Sequence, residues 1–275
     1  MKPTFPLALN TSTIRCQGQP LPELIDATAK AGFTGIEPWV REIDSCGVPL
    51  SELAGRFQDQ GLTVIDLIAF FDWAVEDNNQ RSAGFEEARR IFEMAAHLNC
   101  RQVAAPPKGL QAGDSLDLDR MADHYAKLID LGREFDVVPV LEFWGVSPVF
   151  NRLSQTLYVA AACGKPEACI LGDSFHLYKA SSPFEGLKLL SGAGLGLFHI
   201  NDYPADPPRE TIRDAERVWP GDGVAPLSDI LRTLHGNGYH GWLSLELFNP
   251  AYWELTPVEA ARIGFQKLQG VVQTL

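Results

Sequence analysis

Short apolar runs alternate along this chain with longer stretches in which apolar residues recur every three or four positions. The short runs are FPLAL (5–9), TGIEP (34–38), LTVIDLI (62–68), RQVAA (101–105), VVPVLEF (137–143), ACILGD (168–173), GLGLFHI (194–200) and WLSLEL (242–247). Their length and composition predict strands. The longer stretches predict helices over 23–32, 52–61, 84–99, 115–135, 151–163, 184–191, 226–236 and 257–273. Within 115–135, Leu118, Met121, Tyr125, Leu128, Ile129 and Leu131 fall largely on one face at 3.6 residues per turn. Gly32 and Gly61 stand where the first two helices should end. Thr256-Pro257 opens the last helix with a cap residue and a proline at the first helical position.

Eight predicted strands and eight predicted helices alternate strictly. The strands read as continuous apolar runs, which suits a parallel sheet covered on both faces. A single (β/α)8 TIM barrel over residues 1–275 is the natural closure, since such barrels run to about 250 residues. A doubly wound open sheet would want a glycine-rich phosphate turn after its first strand, and LALNTSTIRC has none. The longest irregular stretch, NDYPADPPRETIRDAERVWPGDG (201–223), is predicted to be an active-site loop.

Composition narrows the partners. With 45% hydrophobic and 21% charged residues, the chain has an ordinary globular balance and can fill a full core. Its formal charge of −12 stands against nucleic acid or an acidic membrane as a partner. No stretch approaches about 18 uninterrupted apolar residues, so no membrane span is expected. The start MKPTFPLALNTSTIR lacks the apolar run and cleavage site of a signal peptide, so the cytoplasm is the expected compartment. Cysteines at 16, 46, 100, 163 and 169 are odd in number and form no C-x-x-C pair, which predicts reduced thiols.

The candidate chemistry lies at the strand ends. Four consecutive runs each deliver a metal-capable side chain near their last residue: Glu142 in VLEFWG, Asp173 in CILGDSFH, His199 in GLFHIND and Glu246 in LSLELFN. In a barrel, strand C-termini ring one mouth, and strands adjacent in sequence are adjacent in the wall. Three carboxylates that close would repel strongly at low dielectric. Protonation, a basic residue or a divalent cation must neutralise them. A cation also accounts for the histidine, because neutral imidazole is a common metal ligand.

Other residues are candidates at the same mouth. His176, three positions after Asp173, is expected there as a supporting or substrate-binding group. Glu37 ends the second strand and is a candidate for a substrate hydroxyl, with an ion pair to Arg41 or Arg15 as the alternative. Trp39, Phe70, Phe71, Trp73 and Trp144 follow strand ends, and aromatic faces pack well on sugar C–H surfaces. PGDG (220–223) offers backbone N–H groups to an anion. His97, His124, His235 and His240 lie away from strand ends and read as surface or packing residues.

The set LEF (141–143), DSFH (173–176), HIND (199–202) and LELF (245–248), in this order and spacing, resembles the xylose isomerase-like sugar isomerase/epimerase superfamily. That group includes ketose 3-epimerases, hydroxypyruvate isomerases, inosose isomerases and dehydratases, and three-zinc apurinic endonucleases. The resemblance implies that Glu142, Asp173, His199 and Glu246 bind one divalent ion, with Glu142 and Glu246 doubling as acid and base. It implies that His176 contacts a substrate oxygen. Arg217, in AERVWPGDG (215–223), resembles a substrate-contacting arginine of these enzymes. Relatives are commonly dimers or tetramers, so a homo-oligomer is compatible with the resemblance. The endonuclease branch adds histidines on earlier strands. LIAFFDW (67–73) and QVAAPPK (102–108) offer none, which supports a single ion and weakens that reading.

An oxygen-rich set with one imidazole suits Mn²⁺, Mg²⁺ or Co²⁺, and Zn²⁺ also fits. The expected reaction is isomerisation or epimerisation of a small sugar or polyol-derived ketone through a metal-stabilised enediolate. Loss of a β-hydroxyl from the same intermediate would make the enzyme a dehydratase for an inosose- or dehydroshikimate-like substrate. A sugar-binding barrel without chemistry would have no need to keep both Glu142 and Glu246.

Overall fold

Eight short parallel strands form one sheet in the computed structural model, which describes residues 5–15 and 18–275. They are β1 (Leu7–Asn10), β2 (Gly35–Glu37), β3 (Thr63–Val64), β4 (Gln102–Ala105), β5 (Val138–Glu142), β6 (Ile170–Asp173), β7 (Leu195–Ile200) and β8 (Leu243–Leu245). Their spatial order is β3-β2-β1-β8-β7-β6-β5-β4. The ring closes through Leu67, just past β3. Its N–H donates to Gln102 O at 3.3 Å, and its carbonyl accepts from Ala104 N–H at 3.1 Å. The expected strand 62–68 is therefore split, with Thr63–Val64 on β2 and isolated bridges from Leu67 to Val103 and from Ile68 to Trp39. The architecture is the (β/α)8 TIM barrel.

The helices are α1 (Leu21–Ala31), α2 (Val40–Ser45), α3 (Leu50–Asp59), α4 (Asn78–His97), α5 (Leu118–Arg133), α6 (Leu153–Ala162), α7 (Ser174–Lys179), α8 (Leu227–Gly236) and α9 (Pro257–Gln273). Their ends follow local chemistry. Gly32 closes α1 in the left-handed conformation at φ 103°. Thr256 and Glu259 cap α9 reciprocally. Strict alternation does not hold, because α2 and α3 both lie between β2 and β3. The segment 184–191, expected as a helix, forms only a 3-10 turn at Phe184–Leu189, and the helix that follows β6 is α7. Both α2 and α7 have six residues, too few to reveal a period in the sequence.

Period-two alternation along the strands sorts side chains between two cores. Leu9, Ile36, Val103, Leu141, Phe198 and Leu245 face outward and join the helices in the main core. Ala8, Ala104, Val140, Leu171 and Leu197 belong to a second cluster that fills the barrel interior. Gly35 keeps that interior narrow: a Cβ there would meet the Trp242 ring at 2.7 Å and Ala8 Cβ at 2.8 Å. Phe71 and Trp73, expected near the pocket, are buried in the main core instead; the Trp73 indole N–H donates to Pro106 O at 2.8 Å. Cys46, Cys100, Cys163 and Cys169 are free thiols; Cys16 lies outside the described residues. Among the described residues no helix is long and apolar enough to cross a membrane.

His124 on α5 is buried, and its Nδ1 has no hydrogen-bond partner. Burial, and then Arg81, Lys127 and Arg120, lower its pKa to about 4. The unfolded chain takes up that proton near pH 6.5. The neutral ring therefore favours the fold fully above that value, and the advantage is lost as pH falls from about 6.5 to about 4. His124→Asn is expected to flatten the stability–pH curve over this window. Urea titrations at each pH measure it, and parallel curves for the two proteins would contradict the assignment.

Candidate active site

The same alternation that plugs the barrel also builds its mouth. Two residues beyond four of the five interior apolar positions stands a polar one: Ala8 then Asn10, Val140 then Glu142, Leu171 then Asp173, Leu197 then His199. Ser244 and Glu246 repeat the step at the end of β8. Register brings them level, with Asp173 opposite His199 and His199 opposite Ser244. All are buried: Glu142 is 6%, Asp173 1%, His199 0% and Glu246 5% exposed.

Asp173, His199 and Glu246 each offer a ligand atom within 4.8 Å of the others. His199 orders the group. Its Nε2 lies 2.8 Å from Glu37 Oε1, and since an ionised carboxylate only accepts, Nε2 carries the proton. Nδ1 therefore faces the site, 3.3 Å from Glu246 Oε2 and 3.8 Å from Asp173 Oδ2, without the alignment of a hydrogen bond. A buried imidazole nitrogen held toward two carboxylates by a carboxylate behind the ring is how metal-binding histidines are oriented. This donor set could hold a divalent cation. Glu142 is not among the three; its Oε1 is 3.8 Å from His176 Nε2.

In the described structure the permanent positive charge at this point is Arg217, beside the His199 ring. Its side chain is 1% exposed, and Nη1 donates to Glu246 Oε2 at 2.9 Å and to Asp173 Oδ2 at 3.2 Å. Nη2 donates to Asp214, and the guanidinium lies over Phe175 at 4.5 Å. Of the three neutralisers that the carboxylates require, a basic residue is thus present. Asp173 serves two masters: Oδ1 accepts the His176 N–H at 2.8 Å and caps α7, while Oδ2 accepts from Arg217 and from Asn201 Nδ2 at 3.0 Å.

The charges separate the acids. Burial pushes Glu142 up to about 8; His199 works against the rise, and Glu246 and Asp173 add to it. Burial would raise Glu246 too, but His199 and Arg217 override it and lower it to about 2. Burial opposes charge on His199, yet Glu37 and Glu246 hold its pKa well above the usual value. His176 is lowered, chiefly by burial.

A cavity of about 460 Å³ opens above the group. Glu142, His176, Arg217 and Glu246 reach it, under walls of Trp39, Phe70, Trp144, Phe248 and Trp253. Trp39 and Phe70 centroids are 5.3 Å apart, and Phe70 and Trp144 5.8 Å. Of the sequence candidates, His176, Arg217 and Trp144 thus line the cavity. Glu37 does not. It is fully buried below the floor, where Oε2 accepts from Asn10 Nδ2 at 2.8 Å and Ser244 Oγ at 2.7 Å. The alternative partner also differs, since Arg15 pairs with Glu42 at 3.0 Å. Glu37 thus contacts His199 and is not among the residues that line the cavity. The N–H groups of PGDG are also committed: Gly221 and Gly223 donate to Asp202 Oδ2 at 2.9 and 3.1 Å. Sequence reading missed Asn10, Asn201, Asp202 and Asp214. The signal was available for three of them, as polar residues closing LALN and HIND beside the acids already singled out.

The sequence matches the profile of the family described as xylose isomerase-like TIM barrel over residues 25–269. It is 32% identical over 232 residues to an inosose isomerase of Bacillus velezensis, covering 81% of this chain and 80% of that protein. A 3-dehydroshikimate dehydratase of Pseudomonas aeruginosa is 26% identical over 241 residues, which are 84% of this chain but 37% of that protein. A crystal structure of the IolI protein with a bound zinc atom superposes with a TM-score of 0.91 at 25% identity, over 98% of this chain and 99% of that one.

Removing Arg217 would leave Asp173 and Glu246 buried without their counter-charge. Arg217→Met is expected to destabilise the ion-free protein by about 3–5 kcal/mol. Arg217→Lys should recover only part, because a point charge cannot reach three carboxylates as the forked guanidinium does. Chemical denaturation measures both, and a Met variant as stable as wild type would show that the pairing carries no weight.

Proposed function

The chain belongs to the xylose isomerase-like TIM barrel family, and on that premise we propose that it is a divalent-metal-dependent isomerase or epimerase of a small sugar or polyol-derived ketone. The observation that carries the reading is the meeting of Asp173, His199 and Glu246 on the cavity floor, with His199 Nδ1 turned toward the two carboxylates. These three would hold the ion, and Glu142, on the next strand of the ring beyond Asp173, would be the fourth ligand. The inosose isomerase relative supports a cyclic polyol-ketone as substrate. The zinc-bound neighbour supports an ion in the site without choosing among Mn²⁺, Mg²⁺, Co²⁺ and Zn²⁺.

When bound, the ion would act as a Lewis acid on adjacent substrate oxygens and so acidify the neighbouring C–H. The chain's own groups do the rest. Glu142 on β5 and Glu246 after β8 stand across the mouth with β6 and β7 between them. One takes the carbon-bound proton and the other returns one. Return to the far face of the same carbon epimerises, and return to the next carbon isomerises. His176 and Arg217 hold substrate oxygens, and the aromatic walls exclude water and pack on the C–H faces.

A dehydratase on the same scaffold is the second reading, favoured by the 3-dehydroshikimate dehydratase relative. Incubation with inososes, free ketoses and hydroxypyruvate in D₂O with Mn²⁺ separates the two. Deuterium entering the substrate without loss of water supports the isomerase or epimerase; an ultraviolet-absorbing enone identifies the dehydratase; neither, with any of them, defeats both. Glu246→Gln is expected to lower turnover by about 10²–10⁴-fold and to weaken the ion. His176→Ala should raise KM while the ion stays bound, and loss of the ion in that variant would move His176 into its coordination.

A further inference from the structure

Asn10 closes β1 and is 0% exposed, yet it has no part in the chemistry above. Its side-chain amide makes four hydrogen bonds. Oδ1 accepts the indole N–H of Trp39 at 2.8 Å and the backbone N–H of Ser12 at 3.0 Å. Nδ2 donates to Glu37 Oε2 at 2.8 Å and to Glu246 Oε1 at 3.2 Å. A side-chain amide offers two lone pairs on its oxygen and two hydrogens on its nitrogen, so its capacity is filled. The partners also fix which end is which, because an indole N–H and a backbone N–H only donate. A flipped amide would set its NH₂ against two donors and its oxygen against two carboxyl groups.

The two ends of this amide serve different parts of the site. Trp39 is cavity wall, with its ring 5.3 Å from Phe70 and 6.0 Å from Phe248, and with the guanidinium groups of Arg15 and Arg41 over it at 4.3 and 4.4 Å. Glu246 also reaches the cavity. Among the described residues Asn10 is the hydrogen-bond donor to its Oε1, whereas Arg217 donates to Oε2 and His199 Nδ1 faces Oε2. Contacts to one oxygen leave a carboxylate free to turn about its last bond, a torsion with broad preferences. The bond from Asn10 to the other oxygen stops that rotation.

We propose that Asn10 is a positioning residue that ties the orientation of the Glu246 carboxylate to the Trp39 wall of the cavity. Glu37 pins the amide from below, Trp39 braces its oxygen, and the remaining hydrogen holds Glu246 Oε1. Removing the indole N–H loosens one end of the amide, and the acid at the other end loses part of its brace. The part that Glu246 plays in proton transfer rests on the functional reading above; the bracing of its carboxylate does not.

A double-mutant cycle on the full chain tests this, with Asn10→Ala, Trp39→Phe and the two combined. It is read as kcat at saturating substrate and Mn²⁺. Phe keeps an aromatic wall and removes the N–H. Asn10→Ala should lower kcat by about 10- to 100-fold, and Trp39→Phe by about three- to tenfold. In the Asn10→Ala background Trp39→Phe should change kcat by less than about twofold, because the link is already cut. Mn²⁺ affinity should show the same non-additivity. Effects that multiply, or a Trp39→Phe that raises KM with kcat unchanged, overturn the proposal. If Asn10→Ala does not fold, Asn10→Ser takes its place, since a hydroxyl is too short to span both sides. A wild type with neither turnover nor Mn²⁺ binding strikes the functional reading instead. Crystal structures of the two single variants then decide the bracing: a displaced Glu246 carboxylate supports it, and an unchanged one in both overturns it.

Discussion

Burying several carboxyl groups at one end of a barrel is the constraint that everything at this mouth answers. Glu37, Asp66, Glu142, Asp173 and Glu246 are all 6% exposed or less. Each ionised group taken from water costs several kcal/mol unless it is paired and hydrogen-bonded. The structure spends its few cations unevenly. Arg217 and His199 serve Glu246 and Asp173 most closely, while the histidine beside Glu142 is His176, whose own charge is suppressed by burial. The outcome is two glutamates on one cavity with opposite tendencies, one up to about 8 and one down to about 2. Pairs of acids pushed apart by their surroundings are what acid–base chemistry at neutral pH needs.

The long loop after β7 exists in ordered form because one carboxylate organises it. Asp202 accepts from the backbone N–H groups of Tyr203, Gly221, Gly223 and Ala225. Its own backbone pairs with Val218 in an isolated bridge. Gly223 is required there, since a Cβ would lie 2.3 Å from Asp202 Oδ1 and from Tyr203 O. Pinned at both ends, the loop carries Asp214 and Arg217 on a short 3-10 turn over the mouth. Asn249 Nδ2 holds Arg217 O at 2.9 Å from the β8 side. The guanidinium reaches the carboxylates because its backbone is tied to two neighbouring strands.

Much of this was legible in the amino acids, for a physical reason. A parallel strand covered on both faces must be apolar throughout, so a polar residue at its end is conspicuous. That contrast picked out Glu142, Asp173, His199 and Glu246 and the order of the strands that bear them. The contrast fails where the partner is remote. Glu37 looked like a substrate ligand because nothing local says that His199, 162 residues away, takes its Oε1. Phe71 and Trp73 looked like pocket walls because strand-end position does not say which way the chain turns next. The turn sends both into the main core. Short helices escaped for want of a full period, and α7 was further disguised by an N-cap residue, Asp173, that also belongs to the site.

The candidate site also answers the question of what neutralises three clustered acids with more than one agent. Arg217 already bridges Asp173 Oδ2 and Glu246 Oε2, the oxygens that His199 Nδ1 faces. A divalent ion held by Asp173, His199 and Glu246 would meet the guanidinium of Arg217 there. The two charges cannot share them at van der Waals distance without strong repulsion. Arg217 has somewhere to go, because Asp214 binds its Nη2 and lies at the cavity rim with a side chain 36% exposed. If the site takes up an ion, as proposed above, binding would exchange one counter-charge for another rather than assemble a site from repelling parts. The cost of gathering the carboxylates is met in the fold itself, before any ligand arrives.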